Sequence, residues 1–417
     1  MKNIFDIDVV STMYPAMSTD KTGYSYRMVA VLTEEVNASA LKSAVAALAP
    51  YFPVLYSHYK KTVSSYYHIR ATDFDIVKEG EPYILLPDLY NTNKPSFRVY
   101  YKNNRVSVDY FHGNGDGDAA ITYLKSLVEV YASYKNKKDV RLPEHLPKDD
   151  IYEDKYIKHY DKKRSAQLIG AKKAARLKLD DDDSSDYVRF SCISFSADSL
   201  KSVIKEKGLS INDYLITALY FAIIKSDKSF NKKHPVVISA PINLRPFFNE
   251  STQRNFSYFV NVTADENTGS EFFSAARYLG GQIKRAANKE FLLNGISQAV
   301  KTATNPVVKY APNFLKEPVI RFICKYISFR GITTTLSNVG FQKSNDILDK
   351  EIENLEVYLG AGQRGVLNST AMGFKDRVSL CLSVASKCEA VENEIISILK
   401  GHGVDCEYTK KEFNKYL

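Results

Sequence analysis

The sequence lacks the features that define several classes of protein. It contains no tryptophan and only five cysteines in 417 residues, none of them before residue 192. None of the cysteines forms a CxxC pair, which excludes a zinc knuckle and a thioredoxin-type redox pair. An odd, scattered set in a chain of ordinary composition also excludes a disulfide scaffold. The five are Cys192, Cys324, Cys381, Cys388 and Cys406.

Long apolar runs are missing as well. The longest strongly apolar helical run covers residues 214–224, about half of the roughly 20 residues that span a bilayer. Residues 1–10 contain Lys2, Asp6 and Asp8 and no continuous apolar stretch of the kind found in signal peptides. We therefore expect a cytoplasmic protein with no membrane span.

The composition is that of an ordinary soluble chain with a small basic excess. Hydrophobic residues make up 44% and charged residues 25%, and 57 Lys and Arg against 48 Asp and Glu give a net charge of +9. The length predicts two or three domains. The charge permits an anionic partner, but it does not choose between nucleic acid, a membrane and a phosphorylated small molecule.

Apolar periodicity predicts an α/β protein with two mixed halves of similar size, each with a sheet and covering helices. Residues 147–186 are rich in charge and poor in apolar side chains, so we interpret them as a solvated crossover with one surface helix, rather than as a nucleic-acid-binding arm. The predicted division is 1–146, 147–186 and 187–417. Helices are expected at residues 38–48, 119–134, 198–206, 211–225, 270–291, 318–327 and 392–400, and strands at 24–32, 97–101, 105–110, 187–195, 236–240, 256–263, 332–336 and 378–385.

The string from Asp109 to Asp118 is the most informative part of the sequence. It places His112 at the end of a strand and Asp116 four residues later, in a turn with glycines at positions 113, 115 and 117. These glycines permit tight geometry with positive φ angles. A histidine is the natural general base near neutral pH.

The string has three other interpretations. A calcium loop would need carboxylates where His112 and Tyr123 stand, and a phosphate-binding loop would need a different glycine spacing. A plain strand-to-helix turn with an exposed histidine stays open on the string alone.

The arrangement His112-x-x-x-Asp116-Gly117 resembles the HxxxDG motif of the CoA-dependent acyltransferase superfamily, which includes chloramphenicol acetyltransferase (CAT), BAHD enzymes and nonribosomal peptide synthetase condensation domains. Within the superfamily, the likeness is greatest to the alcohol acetyltransferase and polyketide-associated acyltransferase branch. Further segments resemble that branch in the same order along the chain. They are Phe52-Pro-Val-Leu, Asn212-Asp-Tyr-Leu, Ser239-Ala-Pro-Ile-Asn-Leu-Arg245-Pro, Phe256-Ser-Tyr-Phe-Val-Asn261 and Leu336-Ser-Asn-Val-Gly340, the last of which we interpret as a turn. One departure is Phe111, where many members have a first histidine.

This resemblance implies two CAT-like lobes, each an α+β two-layer sandwich, with a channel between them. It implies that the chain transfers an acyl group, expected to be acetyl, from acyl-CoA to a small alcohol or amine, with His112 as the general base. Asp116, through an ion pair with Arg245, and Gly117 would support the structure of the loop. Substrate or oxyanion contacts are expected from Thr335, Ser337 and Asn338.

Two alternatives remain at this stage. The donor could be an acyl-phosphopantetheine on an acyl carrier protein, or the chain could be a noncatalytic binding module that kept the fold. We expect no metal, no permanently bound cofactor and no nucleic acid.

Overall fold

The computed structural model describes residues 4–18, 23–84, 88–90, 92–140, 142–143, 153–164, 173–179, 187–227, 234–324, 329–360 and 366–414. Within these ranges helices cover mixed sheets, and the predicted α/β class is confirmed. The strands are β1 (Ile4–Asp6), β2 (Ser25–Leu32), β3 (Ser57–Lys61), β4 (Tyr66–Arg70), β5 (Val77–Glu79), β6 (Phe97–Lys102), β7 (Arg105–Phe111), β8 (Tyr187–Ser196), β9 (Val236–Asn243), β10 (Ser257–Ala264), β11 (Thr334–Gln342), β12 (Ile352–Leu359), β13 (Leu367–Phe374), β14 (Arg377–Val384) and β15 (Cys406–Asn414).

The helices are interspersed among these strands. They are α1 (Met13–Met17), α2 (Ala38–Leu48), α3 (Gly117–Lys135), α4 (Lys155–Lys158), α5 (Ala197–Ile204), α6 (Ile211–Ser226), α7 (Arg245–Phe248), α8 (Phe272–Ala286), α9 (Lys289–Ala303), α10 (Pro306–Tyr310), α11 (Asn313–Ile323), α12 (Asp346–Glu351) and α13 (Ala390–Gly401). Strands β3 to β7 and helices α8 to α11 form uninterrupted runs. Among the described residues, no helix combines the length and the apolar character needed to cross a bilayer.

The first lobe is a sheet of order β12-β2-β7-β6-β5 covered by α2 and α3. Helix α2 has the predicted bounds, and its start is fixed by Asn37, whose side chain accepts a hydrogen bond from the Ala40 N–H at 2.9 Å. Leu41, Val45 and Leu48 recur at helical spacing and are fully buried in the core below it.

The second lobe is a sheet of order β10-β9-β11-β13-β14-β8-β15, and its core is shared with α5, α6, α8 and α13. Strand β11 runs parallel to β9 at its start and to β13 further on. Strand β12 lies between β11 and β13 in the sequence but belongs to the first sheet, where it pairs antiparallel with β2. The division of the chain at residues 147–186 stays a prediction.

Two predicted helices have different bounds. The expected helix over residues 270–291 is two helices, α8 and α9, because Asn288 caps a new helix by accepting from the Phe291 N–H at 2.9 Å. The expected helix over residues 318–327 begins earlier, at Asn313, so Pro318 lies inside α11. Residues 325–327 of that prediction lie outside the described ranges.

The charged crossover contributes more to the core than its composition suggests. Its described part holds one helical turn, α4, and Tyr156 on this turn is 1% exposed. The Tyr156 ring packs against Phe256 with a centroid distance of 5.4 Å. The acidic run at residues 180–183 lies outside the described ranges.

Candidate active site

The imidazole of His112 is held in place by aromatic rings. His112 follows β7 directly, and its backbone N–H donates to the Tyr24 carbonyl at 2.7 Å. Its ring stacks on Tyr14, with centroids 4.5 Å apart and planes 12° apart, and meets Tyr26 at 5.1 Å and 66°. The Asn255 side chain donates to the His112 carbonyl at 2.9 Å. Contacts on several sides therefore fix the position and the plane of the ring.

Asp116 is buried and has both carboxylate oxygens engaged. Arg245 donates to them through Nη1 at 2.9 Å and Nη2 at 3.0 Å. The Phe256 N–H donates at 2.8 Å, and the Ala119 N–H donates at 3.2 Å as the cap of α3. Burial alone would raise the pKa of Asp116, but the charge and hydrogen bonds of Arg245, with the two backbone donors, hold that pKa below its usual value.

Arg245 connects this loop to a second backbone segment. Its guanidinium also donates to the Thr252 carbonyl at 2.9 Å and to the Arg254 carbonyl at 2.8 Å. The pair therefore ties the start of α3, in the first half of the chain, to α7 and the segment after it in the second half.

Two glycines of the loop, Gly113 and Gly115, are needed for close packing, and the loop does not use the positive φ angles that glycine permits. None of Gly113, Gly115 and Gly117 lies in the left-handed region. A Cβ at Gly113 would stand 2.4 Å from the Tyr59 hydroxyl, and one at Gly115 would stand 2.9 Å from the Gln253 carbonyl. Gly117, the first residue of α3, lines the cavity described below.

Phe111, the last residue of β7, is fully buried. Its ring packs edge-on against Tyr59, with centroids 5.3 Å apart, in an aromatic cluster that also contains Tyr14. A buried phenyl ring thus stands where a first histidine occurs in many proteins with this motif.

All the residues expected at the site line one cavity of about 140 Å³. The first half of the chain contributes His112, Asp116 and Gly117, and the second half contributes Arg245, Thr335, Ser337 and Asn338. The cavity therefore lies where the two lobes meet. Ser25, Tyr26, Asn243, Ser257 and Asn368 also line it.

The segment from Leu336 to Gly340 was expected to be a turn, and this is wrong. It belongs to β11, with an irregularity in register between Asn338 and Gly340, because β13 supplies ladder partners for it. The Asn338 amide is engaged, since it donates to Asn212 at 3.1 Å and accepts from the Gly340 N–H at 2.9 Å.

Two buried hydroxyls of the cavity make no hydrogen bond within the described part of the chain. They belong to Thr335, 3% exposed, and Ser25, 4% exposed. Buried polar groups normally have a partner, so each is a candidate donor to a bound molecule. Nothing in the sequence distinguished Ser25, or Tyr14 beside His112, from other strand and helix residues.

A larger groove of about 860 Å³ adjoins the cavity at Asn338. It runs between α5, the start of α6 and the strands β11 and β13, and Lys201 and Lys205 lie on one side of it. Elsewhere in the described ranges, no group of three or more His, Cys, Asp or Glu side chains is arranged to hold a metal ion.

No protein-family model and no curated protein sequence matches the chain. Solved structures do match along nearly its whole length, at low sequence identity. They include the following three. TRI101 from F. sporotrichioides, complexed with coenzyme A and T-2, has a TM-score of 0.63 at 10% identity, covering 98% of this chain and 100% of that one. The TRI3 trichothecene 15-O-acetyltransferase from Fusarium sporotrichioides has a TM-score of 0.60 at 11% identity, covering 95% and 94%.

The third is the epimerization domain from the third module of tyrocidine synthetase B, with a TM-score of 0.60 at 11% identity, covering 96% of this chain and 98% of that one. Likeness at this level of identity establishes a fold and leaves the reaction open. The predicted fold is confirmed: the chain has the two-lobed, chloramphenicol-acetyltransferase-like fold of these solved structures.

Proposed function

We propose that the protein is an acyltransferase that moves an acyl group, in the first instance acetyl, from coenzyme A to a hydroxyl or amine. The observation that carries the proposal is the placement of His112, which is oriented by Tyr14 and Tyr26 at a cavity that both lobes line. The fold similarity to a named O-acetyltransferase and to a protein bound to coenzyme A adds support.

In the proposed reaction His112 acts as the general base. It accepts the proton of the acceptor while the acceptor oxygen or nitrogen forms a bond to the thioester carbonyl carbon. The carbon–sulfur bond then breaks, and the same proton is delivered to the departing thiolate. The products are the ester or amide and free coenzyme A, so no covalent acyl-enzyme is required.

The negative oxygen of the tetrahedral intermediate needs donors held in place. We assign this role first to Thr335, because this residue lines the cavity and its buried hydroxyl has no partner among the described residues. Asn338 is less suitable than the sequence suggested, since its amide already bonds to Asn212 and Gly340. Ser337 and Ser25 are positioned to contact substrate.

Asp116 acts as a positioning residue and carries no proton in this scheme. Both of its oxygens bond to Arg245 and to backbone donors, and its lowered pKa keeps it ionised near neutral pH. Its contribution is to hold the loop that follows His112.

The adjoining groove is the proposed path of the donor. A phosphorylated coenzyme needs cations near its entrance and a slot for its pantetheine arm. Lys201 and Lys205 supply the cations, and the groove reaches the cavity at Asn338. An acyl carrier protein would present the same pantetheine arm without the nucleotide.

The test is a screen for thiol release from acyl-CoA donors of increasing length against pooled alcohols and amines, with His112→Ala as the blank. The proposal expects acceptor-dependent release by the wild-type protein only, and parallel assays with acyl carrier proteins distinguish the two donor types. If no donor and acceptor pair reacts while coenzyme A raises the unfolding temperature, the chain is a binding module and the proposal is wrong.

A further inference from the structure

Helices α10 and α11 expose an apolar surface, which we call the outer face. Six large side chains on it are between 55% and 78% exposed to solvent. An aromatic side chain carries about 150 to 250 Å² of surface, so the outer face presents on the order of 600 Å², the upper end for the largest apolar patch on a monomer. Its members are Val307, Tyr310, Phe314, Leu315, Val319 and Phe322.

The orientation of α11 is the reverse of that of an ordinary surface helix, which turns its apolar side toward the core. Phe314, Leu315, Val319 and Phe322 recur at helical spacing along one side and face solvent. The buried residues of the helix are polar, namely Asn313 at 2% exposed and Glu317 at 6%.

The polar side of α11 is firmly attached to the protein. Asn313 donates to the Thr62 carbonyl at 2.8 Å, in the turn between β3 and β4. Glu317 pairs with Lys61 at 2.6 Å, and Arg321 donates to the Ala16 carbonyl at 2.9 Å. Because these contacts fix the inner side, the apolar side must face outward.

The elements that carry or adjoin the outer face are basic. Lys309 is exposed on α10, Lys301 near the end of α9, which contacts α10, and Lys60 on β3 beside Lys61, the partner of Glu317 on α11. The sequence from residue 291 to residue 324 contains a single acid, Glu317, which is buried and paired with Lys61 and Arg321. The combination of exposed large apolar side chains with flanking lysines is the pattern of helices that lie in a membrane interface.

We propose that the outer face docks on the surface of an anionic lipid bilayer, with its aromatic side chains inserted among the acyl chains and its lysines at the headgroups. A second copy of the chain is disfavoured as occupant, because facing copies would bring these lysines together. A small ligand is disfavoured, since the side chains project outward from the helix.

Docking on this side brings the bilayer close to the candidate active site. Ile320 and Cys324, on the inner side of α11, pack against the aromatic cluster that contains Tyr14, and the Tyr14 ring stacks on His112. The docking itself does not depend on the proposed acyl transfer, and its test measures no activity.

The test is cosedimentation of the full chain with vesicles of phosphatidylcholine alone and of equal parts phosphatidylcholine and phosphatidylserine. We expect the protein to sediment with the mixed vesicles. Phe314→Ser combined with Phe322→Ser should lower the partition coefficient at least about tenfold, and Lys301→Glu with Lys309→Glu should also lower it. The matched control is Phe259→Ser, at a side chain 50% exposed on β10, which should bind as the wild type does.

Equal unfolding temperatures of the variants and the wild type show that the substitutions leave the fold intact. The proposal is overturned if the wild type fails to sediment with the mixed vesicles, or if the double phenylalanine variant sediments as well as the wild type. It is also overturned if the outer face mediates dimer formation and no vesicle binding occurs.

Discussion

At the scale of single residues, the candidate base takes its orientation from tyrosines. Tyr14 stacks on the His112 ring and Tyr26 packs against it edge-on, while Phe111 is buried among other aromatic rings. The loss of a first histidine at position 111 therefore leaves the ring of His112 supported. The Tyr26 hydroxyl strengthens this arrangement, since it donates to the Gly115 carbonyl at 2.9 Å and the Asp116 carbonyl at 3.0 Å.

The role assigned to Thr335 gives a prediction at this scale. Thr335→Val keeps the shape of the side chain and removes the donor, so kcat should fall about 10²- to 10³-fold. Thr335→Ser keeps the hydroxyl and should retain most of the turnover. Because the wild-type hydroxyl is buried without a partner in the described chain, the valine variant should be at least as stable as the wild type.

Turnover of both variants can be measured by thiol release and stability by urea unfolding. Wild-type kcat in Thr335→Val would show that the oxyanion is stabilised elsewhere.

At the scale of elements, the ion pair of Asp116 and Arg245 joins the start of α3 to α7. Removing one partner of a buried pair leaves an uncompensated charge, so Asp116→Ala should cost about 3 to 5 kcal/mol in the free energy of unfolding. Urea unfolding measures the loss. Asp118→Ala is the matched control, because the Asp118 side chain is 44% exposed and its contact with Arg245 at 3.2 Å should contribute under about 1 kcal/mol.

An Asp116→Ala variant as stable as Asp118→Ala would contradict the role of the pair in holding the lobes together.

Elements whose signals are local were predictable from the sequence. Helices α2 and α6 have capping residues and clear apolar spacing, and their bounds agree with prediction within one residue. The start of helix α11 was predicted five residues too late, because the true start depends on contacts of Asn313 with residues 62 and 65, which are distant in sequence.

Strands β12 and β13 were missed for a related reason. Strand β13 is buried on both faces but contains Asn368, Ser369 and Thr370, so it shows no alternation of polar and apolar residues. The polar side chains of β13 bond to residues outside the strand: Asn368 donates to the Gly360 carbonyl, and Ser369 donates to the Thr335 carbonyl. Only the assembled sheets reveal these strands.

The residues of the candidate site also differ in how far the sequence predicts them. His112 and Asp116 follow from the spacing of one string, and Arg245 follows from a family resemblance. Their meeting with Thr335 in one cavity depends on the packing of the two lobes.

At the scale of the whole molecule, the two halves of the chain are interlocked. Strand β12 comes from the second half and completes the first sheet, where Glu356 accepts two hydrogen bonds from Arg105 at 3.1 and 2.7 Å. Two places on the molecule account for part of the net positive charge. They are the groove beside Lys201 and Lys205 and the surroundings of the outer face.

The response of the whole molecule to acid gives another prediction. His68 is 2% exposed, and burial, followed by the charges of Arg254 and His58, lowers its pKa to about 3. The unfolded chain takes up this proton near its ordinary pKa of about 6.5, so acidification through pH 6 to 4 favours unfolding. His68→Gln removes this contribution, and the difference in unfolding free energy between the two proteins should shift by about 2 kcal/mol over that range.

Urea unfolding of both proteins at several pH values measures the difference. A difference that is constant from pH 6 to 4 would show that His68 takes up its proton in the folded state as readily as in the unfolded chain.

The most direct measurement of the central claim is the kcat of His112→Ala with the best donor and acceptor pair, beside its unfolding temperature and its affinity for coenzyme A. General base catalysis predicts a loss of about 10²- to 10⁴-fold in kcat, with both other quantities close to those of the wild type. Thiol release at a rate near that of the wild type would contradict the assignment of His112 as the base.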